Sequence, residues 1–201
     1  MKRPRLPRLF GLRPLSGTAP RLRLAAAVLL LPLCGALSAV AGEANGWREQ
    51  LQQRLPLLGH RNWIVIADAA YPQQTAAGIT TIATSEDQLE VVREVLAQLA
   101  KSPHVQPVIY RDTELDFVAE ANAPGITEYR QKLQQLLGLR PVRAELHEQI
   151  IKKLDAAGQS FHVLILKTRH LQPYTSVFLQ LECGYWTADK EAQLRAALRG
   201  K

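Results

Sequence analysis

The run Trp63-Ile64-Val65-Ile66-Ala67 has no polar side, and it constrains the fold more than any other stretch of the chain. Alternate residues of a strand face opposite sides of a sheet, so an unbroken apolar and largely β-branched run suits a strand buried on both faces. At this length it is too short for an ordinary amphipathic helix. A strand of this kind needs a sheet with helices packed on it.

The flanking sequence supplies those helices and further strands. Trp47, Leu51, Leu55 and Leu58 fall at helical spacing before Gly59, which suits a C-terminal cap, and Pro56 predicts that this helix ends early or kinks. Residues 79–83 predict a second strand. Ser85, followed by Glu86 and Asp87, suits the N-cap of a helix with Leu89, Val92, Val95, Leu96 and Leu99 on one face, closed by Pro103. A strand is expected at 106–110, a helix at 127–137 ended by Gly138, a short extended piece at 142–144, and a helix at 145–157 ending at Gly158. Strands at 161–167 and 175–182 flank a turn at Gln172-Pro173, and the tail at 188–199 is helical with Leu194 and Leu198 on one stripe. No repeat or linker divides residues 42–201. The alternation predicts one α/β domain, a sheet covered by helices.

Residues 1–41 read differently, as a signal peptide. Lys2, Arg3, Arg5, Arg8, Arg13, Arg21 and Arg23 form a basic start, residues 24–33 an apolar core, and Ala39-Val40-Ala41 a small-residue cleavage site, which predicts export to the periplasm or the exterior after cleavage near Ala41, with an uncleaved anchor over residues 24–40 as the alternative. Cleavage removes seven basic residues and no acidic ones, leaving 18 of each sign, so the formal charge of +7 falls to zero. The basic composition is therefore an export signal, and nucleic acid is not an expected partner. Only Cys183 remains after cleavage, which leaves no internal disulfide to form and suits a small buried apolar residue.

Motifs for several chemistries are missing. The histidines at 60, 104, 147, 162 and 170 match no metal-ligand spacing, and the chain has neither a glycine-rich phosphate loop nor a Gly-x-Ser-x-Gly elbow. No metal or cofactor is expected. The remaining candidates lie at element boundaries, where a scaffold presents polar groups to a ligand: His60, Asp68, His147 and Tyr174. On their own, His60 also suits a loop, Asp68 a turn, His147 a solvated helix start, and Tyr174 core packing with its hydroxyl at the surface.

Several boundaries together resemble one family, the ribose pyranase and fucose mutarotase (RbsD/FucU-like) group. Its members open with a helix, a Leu-Gly-His turn, a strand ending in Asp-Ala and a proline shortly after. Here these are Leu58-Gly59-His60, residues 64–67, Asp68-Ala69 and Pro72. Val142-Arg143 leading to His147-Glu148-Gln149 resembles the pyranase branch, and Pro173-Tyr174-Thr175-Ser176 before an apolar strand and Gly184 resembles the family's last turn. The resemblance implies His60 as the proton-donating histidine, Asp68 and His147 as sugar-binding groups, and Tyr174, Thr175 and Ser176 as the closing binding turn. Ser176 stands where the family has asparagine, and Arg169-His170 where it has Gly-Glu.

The implied activity interconverts anomers or ring forms of a monosaccharide, a pentose or deoxyhexose, by histidine acid-base catalysis without a cofactor. The alternative is a non-catalytic monosaccharide-binding or assembly protein on the same scaffold. One geometric expectation follows. His60 precedes and Asp68 follows a strand that spans roughly 17 to 20 Å, more than one sugar bridges. If both serve one site, they come from neighbouring subunits of a homo-oligomer, as the resemblance also implies.

Overall fold

The computed structural model describes residues 46–200, so the signal peptide expected over 1–41 lies outside the described residues. The apolar run forms β1 (Trp63–Ala67), and every residue of it is buried. Around it stand β2 (Ile79–Ala83), β3 (Val105–Asp112), β4 (Val142–Glu145), β5 (Val163–Lys167) and β6 (Val177–Cys183). They form one six-stranded sheet in the order β2-β5-β1-β6-β3-β4. All strands run in one direction except β6, which lies antiparallel between β1 and β3.

Helices cover both faces, and the pleat of β1 explains how they divide. Ile64 and Ile66 face α1 (Trp47–Arg54), α2 (Gln88–Ala100) and α3 (Ile126–Leu137), joining Leu51, Val92, Val95, Leu133, Leu166 and Leu179 in the larger core. Trp63, Val65 and Ala67 face the other way and meet Ile150 and Leu154 of α4 (His147–Gly158), with Ile165 and Phe178. This is the expected α/β domain, a mixed sheet between helical layers. Where α4 meets β2 and β5, glycine is required: a Cβ on Gly78 would lie 2.3 Å from the carbonyl oxygen of Gly158 and 2.5 Å from that of Phe161.

Several local expectations are corrected. The N-cap of α2 is Asp87, not Ser85: Asp87 has extended backbone and accepts from the Leu89 amide at 2.9 Å, which lets the helix begin with Gln88 fully buried. Gly59 does not adopt the left-handed cap conformation. α1 ends at Arg54 and tightens into a 3₁₀ turn, Leu55–Leu57, that holds Pro56, and the positive φ of 74° falls on Arg61. α4 starts at His147 because Glu145 is the last residue of β4. The tail helix α5 (Ala188–Arg199) forms, yet it buries no residue: Leu194 and Leu198 are exposed. Cys183 is half-buried at the end of β6 and not a core residue.

Candidate functional site

The carboxyl ends of the parallel strands lie at one end of the sheet, and β6, running the other way, begins there. In open α/β sheets this end, beside a change in strand order, is where ligands are held. Asp68 follows β1, Thr168 follows β5, Asp112 ends β3, and Thr175 and Ser176 precede β6. Ser176 is buried and donates its hydroxyl to Asp68 Oδ2 at 3.1 Å, while Asp68 Oδ1 accepts from the Ala70 amide at 2.8 Å. Asp68 is thus both a turn-former and a neighbour of the closing turn.

Beneath this turn lies a buried polar network. The Tyr129 hydroxyl donates to the Thr175 carbonyl at 2.8 Å, Gln88 Nε2 donates to the same carbonyl, and the Thr168 hydroxyl lies 2.9 Å from the Ala67 carbonyl and 3.1 Å from Gln88 Oε1. Each polar group has a partner, so the network anchors the start of β6 to the ends of β1 and β5 at little desolvation penalty. Burial raises the Tyr129 phenol well above its ordinary value and keeps it a neutral donor.

His147 stands at the first position of α4, whose N-cap, Leu146, has no side chain able to cap. Glu114 takes that place: its carboxylate accepts the His147 backbone N–H at 3.0 and 3.1 Å. An acid at a helix start also suits the helix dipole. The imidazole Nδ1 lies 3.1 Å from Asp112 Oδ2, and the ring meets Tyr174 edge-on with centroids 5.7 Å apart. Tyr174 has φ of 57°, a left-handed conformation that a tyrosine rarely adopts. Asp112 is fully buried, and its Oδ1 has no hydrogen-bond partner among the described residues. Burial pushes its carboxyl from 3.8 up to about 6, against the pull of His147 and with smaller upward pushes from Glu114 and Asp68. Tyr71, also buried here, is pushed up to about 12 by burial first and then by Asp155, Asp112 and Asp68.

The structure therefore brings together Asp68, His147, Tyr174, Thr175 and Ser176 at one end of the sheet, although Thr175 acts through its carbonyl and is fully buried. His60 is elsewhere. It lies in the turn before β1, at the opposite end, where its half-exposed ring places Nδ1 2.8 Å from Glu182 Oε2. With Arg143, Glu182, Cys183 and Trp186 it lines an open groove of about 770 Å³. Asp112, Glu114 and Gln88 were absent from the sequence-based candidates. The only sequence signal for Asp112 is an acid just past an apolar strand, and that is common in turns. Among the described residues no cluster of three or more His, Cys, Asp or Glu side chains is placed to hold a metal ion.

Fold and cluster define the class: an α/β protein whose polar groups gather at the strand ends where such sheets hold ligands. The chain belongs to the RbsD / FucU transport protein family, whose model matches residues 47–183. Among solved structures it is similar to RbsD of Bacillus subtilis complexed with D-ribose, at 22% identity and a TM-score of 0.46, over 66% of this chain and 91% of that one. It is also similar to the fucose mutarotase of Streptococcus pneumoniae in complex with L-fucose, at 18% identity and a TM-score of 0.45, over 66% and 91% of the two chains. FucU from Bifidobacterium longum matches at 16% identity and a TM-score of 0.42, over 67% and 92%. A comparison with curated proteins finds no match. The family match ends at Cys183, so α5 lies outside it.

Proposed function

We propose that the protein is a monosaccharide mutarotase or pyranase-like isomerase, exported behind residues 1–41, with sites formed between subunits of a homo-oligomer. Family membership supports the sugar chemistry. The observation that carries the shared site is the separation of two polar ends by β1, with Asp68, Ser176, Asp112 and His147 at one and His60 with Glu182 at the other. A neutral, polyhydroxylated pentose or deoxyhexose suits carboxylates, hydroxyls and imidazole, which donate and accept in turn.

Ring opening requires the anomeric hydroxyl to lose a proton and the ring oxygen to gain one, and closure after rotation in the open aldehyde reverses both transfers. A histidine delivers and recovers such protons near neutral pH, with about 10² to 10⁴-fold acceleration. His60 of one subunit would donate, and Asp68, His147, Tyr174 and Ser176 of the next would hold the sugar. Magnetisation-exchange NMR on a panel of pentoses and hexoses tests this. His60→Gln and Asp68→Asn should each abolish acceleration, and co-refolded equal mixtures should regain about a quarter of wild-type exchange, since random pairing restores about one site in four. Exchange unaffected by His60→Gln would end the proposal, and mixtures as inactive as the parents would end its shared site.

Ser176 favours a second reading, a binding protein without catalysis. Its hydroxyl is already engaged by Asp68, so it displays less to a ligand than a longer amide would. Sugar binding without any acceleration would support this alternative.

A further inference from the structure

The buried Asp112 carboxyl is the least economical feature of the described chain. It is fully buried, one of its oxygens has no partner, and the other meets one nitrogen of a histidine whose backbone a different acid, Glu114, already secures. Helix capping therefore does not explain it. What Asp112 alone controls is the imidazole. With Glu114 on the His147 amide and Tyr174 against the ring edge, rotation of the side chain is limited, and the carboxylate defines which nitrogen carries hydrogen. A carboxylate can only accept, so Nδ1 must donate and Nε2 is left with a free lone pair. The side chain of His147 is 32% exposed, so the ring is not sealed from a ligand.

We propose that Asp112 is the positioning residue that fixes His147 in its Nδ1–H tautomer and so makes His147 the proton acceptor of the sugar site. The anomeric O–H bond breaks and its proton passes to His147 Nε2. Its electron pair forms the aldehyde C=O as the ring C–O bond breaks, and the ring oxygen takes a proton from protonated His60. Reclosure returns both protons. This inference rests on the isomerase reading for its substrate, but the tautomer it requires does not depend on any sugar. The interaction with the imidazole supports it, because burial alone favours the protonated acid, while proximity to His147 and the hydrogen bond from its ring both pull the Asp112 carboxyl back toward the ionised, accepting form. The groups facing Asp112 are His147 from α4, Glu114 from the turn after β3, and Asp68 and Tyr71 from the segment after β1.

The test has two arms on the full chain. Nitrogen-15 NMR of the imidazoles at neutral pH, with the His147 signals assigned by their loss in His147→Gln, should show neutral His147 protonated on Nδ1. Finding it protonated on Nε2 overturns the proposal without any variant at Asp112. In the second arm, Asp112→Asn should shift His147 toward the other tautomer and lower kcat for sugar exchange about 10 to 100-fold with KM little changed, while Asp112→Glu recovers part of the rate. An unchanged tautomer and rate in Asp112→Asn, or a loss confined to KM, overturns it. If the wild-type protein accelerates no sugar, the isomerase reading fails, and the tautomer alone decides whether Asp112 positions His147.

Discussion

A carboxyl held at such a position should lower stability, and Asp112→Asn measures by how much. Burial raises the folded value from 3.8 to about 6, with Glu114 and Asp68 adding to the rise and His147 opposing it. The folded state therefore binds the proton more tightly than the unfolded chain, and stability falls as pH rises from about 3.8 through about 6. About two units at ~1.36 kcal/mol each give about 3 kcal/mol lost in full above that window. Roughly 2 kcal/mol of this falls between about pH 4.5 and pH 7.5. Asparagine cannot ionise, so relative to wild type the variant should gain that amount over the same interval. With a urea slope of about 2 kcal/mol per molar, the gap between the two midpoints should widen by about 1 M toward neutral pH. Equilibrium urea unfolding followed by circular dichroism at several pH values reads this directly. Midpoints that stay parallel from acid to neutral pH would refute the account of Asp112 as a buried, costly carboxylate. A group that lowers stability while ordering a candidate acid-base residue is the pattern expected of functional sites.

Three further outcomes follow from the packing. Gly78→Ala should lose about 3 kcal/mol or more in urea unfolding, because its Cβ would meet two backbone carbonyl oxygens, of Gly158 and Phe161, that no side-chain rotation can relieve. Tyr129→Phe should cost about 1 to 3 kcal/mol, since it removes a buried donor to the Thr175 carbonyl and a partner of Gln88; a melting temperature equal to wild type would contradict the anchoring role of that network. Removing α5 should change stability by less than about 1 kcal/mol, because no residue of that helix is buried, and a large loss would show that α5 packs in solution against something the single chain does not contain.

The strands were legible because a doubly buried strand leaves a mark in sequence. β2 spans the residues expected for it, and β1 and α5 also match their expected bounds. Periodicity reports helix and strand but not what covers them, which is why the apolar stripe of Leu194 and Leu198 is present yet exposed. The start of α2 differs from expectation for a related reason: Ser85 and Asp87 both suit an N-cap locally, and the choice is made by Gln88, which is held by Thr168, Tyr129 and Thr175 from distant parts of the chain. Asp112 is not legible in the sequence because its role depends on His147, 35 residues on, and on the extension of β3 beyond its apolar residues.

The single antiparallel strand explains how the polar groups are distributed. Were β6 parallel, its leading turn would lie with His60, and Asp68 would have no hydroxyl partner. Running the other way, β6 starts beside the end of β1, so Ser176 meets Asp68, and finishes beside its beginning, so Glu182 meets His60. The same two strands thus tie together both polar ends while holding them a strand length apart. β1 is buried along its whole length between the two helical layers, and a strand so packed cannot bend to bring one end to the other. If His60 and Asp68 serve one site, as proposed, a single copy of the described sheet does not bring them together, and this gives the oligomer proposal a physical basis beside the family resemblance.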